Sequence, residues 1–150
     1  VDFIYTHFPK EEEVGLNTSR FTQECKQFKV TVDNATRYSM LLLNESIQST
    51  TPTECVFIAT ELTKIFRCIG VRGVYATHLL ELAKNLDKLN AEVEGDTKLV
   101  SIVTTVDTTA DNKRLYRIVK SAPQEFGYAQ TIYKKFGVSF EEVQKRMKNS

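Results

Sequence analysis

Tyr38 to Glu45 (YSMLLLNE) is the stretch around which the chain is organised. Met40 to Leu43 is unbroken apolar, and Ser39 is the only polar residue between Tyr38 and Asn44. A run this short and apolar on both faces predicts a strand buried on both sides in the middle of a parallel sheet. Upstream, Val1 to Phe8 mixes β-branched and aromatic residues and predicts another strand, and the polar stretch Pro9 to Thr18 predicts a loop. Ser19 to Asn34 carries Phe21, Cys25, Phe28 and Val32 at spacings of four, three and four, which is one face of a helix. Downstream, Thr51, Pro52 and Glu54 form a strong helix start: a cap, a proline suited to the first helical position, and a glutamate that closes a capping box. The stripe Ile58, Ala59, Leu62, Ile65, Phe66 and Ile69 continues that helix until Gly70 stops it. Val71 to Ala76 predicts the next strand, and Leu79 to Leu89 a helix with Leu79, Leu82, Ala83 and Leu86 aligned. Strand, helix, strand, helix with short connections implies right-handed crossovers and a parallel sheet.

The pattern then changes. Ala91 to Thr97 is a polar loop, while Leu99 to Val106 and Leu115 to Val119 alternate, with Asp111 and Asn112 in the turn between them. That predicts an antiparallel hairpin at the sheet edge. Two short helices follow Pro123. The first spans Gly127 to Phe136 and ends at Gly137, and the second starts at Ser139, with Glu142 placed to close a capping box. Ile132, Tyr133, Phe136, Phe140, Val143 and Met147 are many apolar groups for helices too short to be stable alone. They predict an assembly surface, or failing that a pair that packs back on its own hairpin.

Composition narrows the function only a little. A net charge of +1 carries no global signature of nucleic-acid binding, so any such contact is local or belongs to another segment. Cys25, Cys55 and Cys68 lie in helix-like stretches with no metal-binding spacing, which predicts buried, reduced thiols and a cytoplasmic setting, nuclear if the source is eukaryotic. No apolar run approaches membrane-spanning length, so no membrane is expected as a partner. The chain opens on Val1 inside an alternating run, without an initiator Met, and a fragment of a longer polypeptide is expected.

The candidate chemistry lies at the strand ends. One predicted strand stops on Asn44 and Glu45, the next on Thr77 and His78. In open α/β sheets these ends face the ligand crevice. A carboxylate that polarises water beside an imidazole that reaches a phosphate is a workable hydrolytic pair. The plainer reading makes Glu45 the point where a strand meets solvent and His78 a satisfied structural residue. No Gly-x-Ser-x-Gly elbow is present, and His7 and His78 are too few for a metal cage. None of the six glycines is followed by Lys, so the chain has no phosphate-cradling P-loop.

The order YSMLLLNE, SIQSTT, amphipathic helix, VYATHLLELA resembles the ATPase domain of the MutS family of DNA mismatch-repair proteins. VDFIYTHF, NTSRFTQEC and NATRYSMLLL are similar to family segments before the Walker B strand, and FGYAQTIYKKFGVSFEEVQKRM to the helix pair that joins two ATPase domains. The resemblance covers essentially the whole chain. It implies the P-loop NTPase-like, ABC-type α/β fold: a partial parallel sheet, an antiparallel edge hairpin and a C-terminal helical pair. Residues 1–124 would be the C-terminal part of the ATPase domain, and residues 125–150 its helix-turn-helix dimerisation segment. It implies ATP and Mg²⁺ as ligands, both requiring the absent P-loop half, with Glu45 and His78 catalytic and Ser19, Asn44, Ser49 and Thr50 at the nucleotide. Its implied partners are a second copy or a paralogous subunit, and double-stranded DNA through the parent protein.

Three departures bear on activity. Asn44 stands where the family has an Asp that holds Mg²⁺ through water, Arg20 follows Ser19 where the family has Thr, and the loop Gln48 to Thr51 lacks the family's glycines. The expectation is therefore an ATP hydrolase in the full-length parent and an inactive isolated chain. The alternatives are a diverged, non-catalytic assembly module of the same origin, or an unrelated small α/β regulatory domain.

Overall fold

A computed structural model describes residues 1–9, 20–107, 113–123 and 128–148, which form two compact units, Val1–Val100 and Ser101–Ser150. In the first unit, β1 (Ile4–His7), β2 (Met40–Asn44) and β3 (Arg72–Ala76) form a three-stranded parallel sheet in the order β1-β2-β3. The connections are α1 (Arg20–Asn34) and α2 (Pro52–Ile69), and α3 (Leu80–Lys84) and α4 (Leu86–Glu92) follow β3. Crossovers of one hand place their helices on one face of the sheet. The core sits on that face: Leu41 and Leu43 of β2 join Phe28 of α1, Cys55, Ala59, Leu62 and Phe66 of α2, Leu82 of α3 and Leu89 of α4.

β2 is the central strand, as its apolar run predicts, but only one of its faces is fully buried. Leu41 and Leu43 are enclosed, whereas Met40, Leu42 and Asn44 are half-buried. Ile4 and Val74, in the same rows of the ladder as Met40 and Leu42, are about half exposed. An apolar run cannot distinguish two covered faces from one covered face and one awaiting cover.

Each helix boundary has a local cause. Thr51 caps α2 in an extended conformation and the reciprocal capping box with Glu54 is complete. The hydroxyls of Thr50 and Thr51 hold the Glu54 carboxyl below its usual range. Gly70 ends α2 at φ 82°, a conformation that favours glycine. Gly73 has a different reason: any Cβ there would collide with the Leu41 carbonyl of the neighbouring strand. Leu79 to Leu89, expected as one helix, is two. The break falls at Asn85, whose side-chain amide donates to the Glu81 carbonyl at 2.8 Å and competes with the helical ladder.

The helical stripe expected on α1 holds at Phe28, which is buried, and at Phe21 and Val32, which are half-buried, but not at Cys25. Phe28 and Thr31 are buried and Glu24 is half-buried, while Cys25 is exposed. Cys68 is exposed as well, so of the three thiols expected inside, only Cys55 is buried. Cys25 and Cys68 each lie one position off the buried line of their helix, and cysteine is small enough for either place. Behind α2, the buried Arg67 is satisfied entirely by carbonyls: Nε donates to Val93 O at 2.7 Å, Nη2 to Asn90 O at 3.1 Å, and Nη1 to Thr97 O. It ties the segment after α4 back to the core.

In the second unit, β4 (Ile102–Asp107) and β5 (Lys113–Lys120) pair antiparallel with a register irregularity between Thr104 and Val106. The expected hairpin is present, but as a separate two-stranded sheet and not as a continuation of the parallel one. Pairing of sequence neighbours closes a short loop at low entropic cost and needs no existing edge. The turn residues Asp111 and Asn112 and the expected helix start at Gly127 lie outside the described residues. α5 (Tyr128–Lys135) and α6 (Phe140–Lys148) follow, separated by Gly137 at φ 67°. Ile132, Tyr133, Phe136, Phe140 and Met147 are exposed, and Val143 is half-buried.

His7, at the end of β1, is buried with its ring stacked on Phe28, centroids 4.3 Å apart and planes within 7°. Its Nε2 lies 2.8 Å from Thr31 Oγ1, which itself donates to Gln27 O, so Nε2–H is the donor in this pair. Burial lowers the His7 pKa from 6.5. The unfolded chain therefore binds this proton more tightly, and the stability the neutral ring provides is complete above about pH 6.5 and is lost as pH falls below it. The wild type is predicted to lose stability relative to His7→Phe between about pH 7 and pH 5, measured by urea denaturation. A wild type that holds or gains stability relative to the variant on acidification contradicts the assignment.

Candidate active site at the carboxyl edge of the sheet

The site follows from the β2–β3 register. Asn44 lies opposite Ala76, so the chain leaves both strands at the same edge, and Glu45 and His78 come next. His78 Nδ1 lies 2.6 Å from Glu45 Oε2. Nδ1–H donates to the carboxylate whether the ring is neutral or charged, which leaves Nε2 on the far side of the ring. The Glu45 side chain is 28% exposed and that of His78 72%, so the pair contributes little to stability and is reachable from solvent. Gln48 Nε2 donates to the same carboxylate oxygen at 3.2 Å.

Glu45 is the only described non-glycine residue with positive φ, at 47°. Its amide still donates to Ala76 O at 2.9 Å, so the ladder continues one residue beyond the strand while the side chain turns out of it. A left-handed conformation costs an ordinary residue roughly 1–2 kcal/mol. Strain of this kind concentrates at functional positions.

The loop that follows is tied down residue by residue. Ser46 Oγ donates to His7 O at 3.1 Å, Ser49 Oγ to Glu24 Oε1 at 2.7 Å, and Thr50 Oγ1 to Glu54 Oε2. Ser49 and Thr50 thus spend their protons on carboxylates, and donation to a phosphate requires those bonds to open. Asn44 is half-buried at the end of β2 and its amide carries no charge for a cation. Among the described residues no group of three or more His, Cys, Asp or Glu could hold a metal ion. Ser19 lies outside the described residues.

Two residues absent from the sequence-based set complete the surroundings. Glu24 reaches the loop from α1, and Tyr75 of β3 lies beneath it with its hydroxyl enclosed and without a well-formed hydrogen bond. Burial pushes the Tyr75 phenol up to about 12, and the negative charge of Glu45 adds to the effect. The sequence held a signal for Glu24, a carboxylate one turn before Phe28 on the same helical face. It held none for Tyr75, which reads as an ordinary strand aromatic.

The fold is thus a parallel α/β sheet that carries a carboxylate and an imidazole at adjacent strand ends. The chain matches the family description MutS domain V over residues 1–145, and it belongs to that family. It is 27% identical over 144 residues to a DNA mismatch repair protein MutS of Chlorobium phaeobacteroides, covering 95% of this chain and 16% of that protein. It is 26% identical over 149 residues to the MutS of Aquifex pyrophilus, covering 99% of this chain and 17% of that protein. It is 26% identical over 129 residues to the human MutS protein homolog 4, covering 83% and 13% respectively. The chain spans less than a fifth of the length of these relatives. Among the described residues no helix is long and apolar enough to cross a membrane.

The strain at Glu45 gives a direct prediction. Glu45→Gly and Glu45→Ala both remove the carboxylate, but only glycine adopts positive φ freely. The glycine variant is expected to be more stable than the alanine variant by about 1 kcal/mol, the reverse of their usual order. Chemical denaturation of the two variants measures it, and alanine proving the more stable would remove the claim of strain.

Proposed function

We propose that this chain forms the water-activating side of a MutS-type ATP hydrolysis site in a DNA mismatch-repair protein. The observation that carries the reading is the 2.6 Å contact between Glu45 and His78 at neighbouring parallel strand ends. Glu45 accepts a hydrogen bond from the attacking water and orients it. The imidazole fixes the carboxylate through Nδ1, and its Nε2 is the group available to a terminal phosphate. Gln48 holds the same oxygen from the other side. A nucleotide with Mg²⁺, when bound, would supply the electrophilic phosphorus, and the ion would offset the charge of its phosphates. Asn44 would face the ion through water, more weakly than an acid. Ser19 would reach the nucleotide of a partner subunit, a second copy or a paralogue, and the DNA would be engaged through other parts of the parent. Ser49 and Thr50 would act only after releasing Glu24 and Glu54.

In the full-length protein, Glu45→Gln is expected to lower ATP turnover by at least about 100-fold with ATP affinity retained. Unchanged turnover, or a wild type without turnover, would overturn the reading. The chain by itself lacks a phosphate cradle and is expected to show no micromolar binding of Mg-ATP in calorimetric titration.

The second reading is a non-catalytic assembly module. It is favoured by Asn44 and by the exposed apolar residues Ile132, Tyr133, Phe136, Phe140 and Met147 on α5, α6 and the turn between them. Groups of this size left open to water mark a docking surface, here for a second MutS-like subunit. Deleting residues 127–150 from the full-length protein is expected to shift its sedimentation from dimer towards monomer. An unchanged dimer would count against that role.

A further inference from the structure

The bond between Ser49 and Glu24 crosses between elements. Ser49 follows the candidate catalytic residue by four positions, and Glu24 lies on α1, 25 residues away in sequence. The Oγ···Oε1 distance of 2.7 Å is that of a strong hydrogen bond to a carboxylate. The Glu24 side chain is only 16% exposed, and its second oxygen, Oε2, is enclosed with no hydrogen-bond partner. Arg20, one turn earlier, lies 3.6 Å from Oε1. A mostly buried carboxylate with one oxygen unpaired is costly to place there, so the bond it does make is not incidental surface contact.

The remaining anchors of the loop show what this one adds. Ser46 is fixed to β1, Gln48 to Glu45 itself, and Thr50 and Thr51 to the start of α2. Among the described residues, Ser49 is the loop residue seen bonded to a side chain of α1. A loop without glycine has fewer backbone states, and side-chain bonds along it leave fewer still.

The geometry points to Glu24 as a positioning residue that clamps the loop 46–50 to α1 through Ser49 and thereby sets the placement of Glu45. The clamp rests on the preceding functional reading only for its consequence in catalysis; its mechanical part stands on the structure of this chain. Movement of α1 is then passed to the loop beside Glu45.

The test uses the full-length protein with Glu24→Ala, Ser49→Ala, the double variant and the near-isosteric Glu24→Gln. Amide hydrogen exchange of residues 46–50 is expected to quicken about tenfold in Glu24→Ala and in Ser49→Ala, with no further gain in the double variant. Glu24→Gln keeps an acceptor and is expected to restore most of the protection. In the same proteins kcat for ATP is expected to fall about tenfold while KM changes less than about twofold, because a misplaced carboxylate slows the chemical step and leaves binding intact. Unchanged exchange in the single variants, additive effects in the double variant, or a loss confined to KM would each overturn the proposal. If the wild type hydrolyses no ATP, the functional reading fails, and the clamp stands or falls on the exchange of 46–50 alone.

Discussion

The parallel ladder between β2 and β3 places Asn44 opposite Ala76, and the position of every candidate group depends on that register. A slip of one residue would turn Leu41 and Leu43 out of the core and carry the strand end with them. Burial of these two leucines against α2 therefore also fixes where Glu45 leaves the sheet. Gly73 contributes by sparing the Leu41 carbonyl a collision in the central pairing. Core packing and site geometry are one constraint here.

Beyond the strands, the edge of the sheet is organised by polar groups satisfying one another. Glu45 leaves β2 in a left-handed conformation yet keeps its amide bonded to Ala76, and His78 and Gln48 converge on its carboxylate. The loop hydroxyls face Glu24, Glu54 and the His7 carbonyl. This arrangement favours a fixed carboxylate over an open anion cradle.

Two apolar surfaces are left open. On the sheet, Ile4 and Val74 occupy the face opposite Leu41 and Leu43. In the second unit, Phe136, Phe140 and Met147 are each about three-quarters exposed. Exposed groups of this size raise the free energy of the isolated chain in water and reward any surface that covers them.

The sequence by itself determined the order of elements, the central place of β2, the capped start and glycine stop of α2, and the two strand ends bearing Glu45 and His78. These are local signals, carried by period, caps and turn residues within a few positions of one another. It also carried enough of the MutS pattern to name the family. It misjudged the second face of β2, the exposure of Cys25 and Cys68 and the break at Asn85. Each of those depends on what packs against the element, or on a polar side chain competing with the backbone, and neither is written in hydrophobic periodicity. The tertiary structure alone decided that Ser49 meets Glu24, that Tyr75 lies enclosed beneath the loop, and that Glu45 bends into positive φ. Those contacts join residues far apart in sequence, and only the closing of two parallel crossovers onto one sheet face brings them within bonding distance.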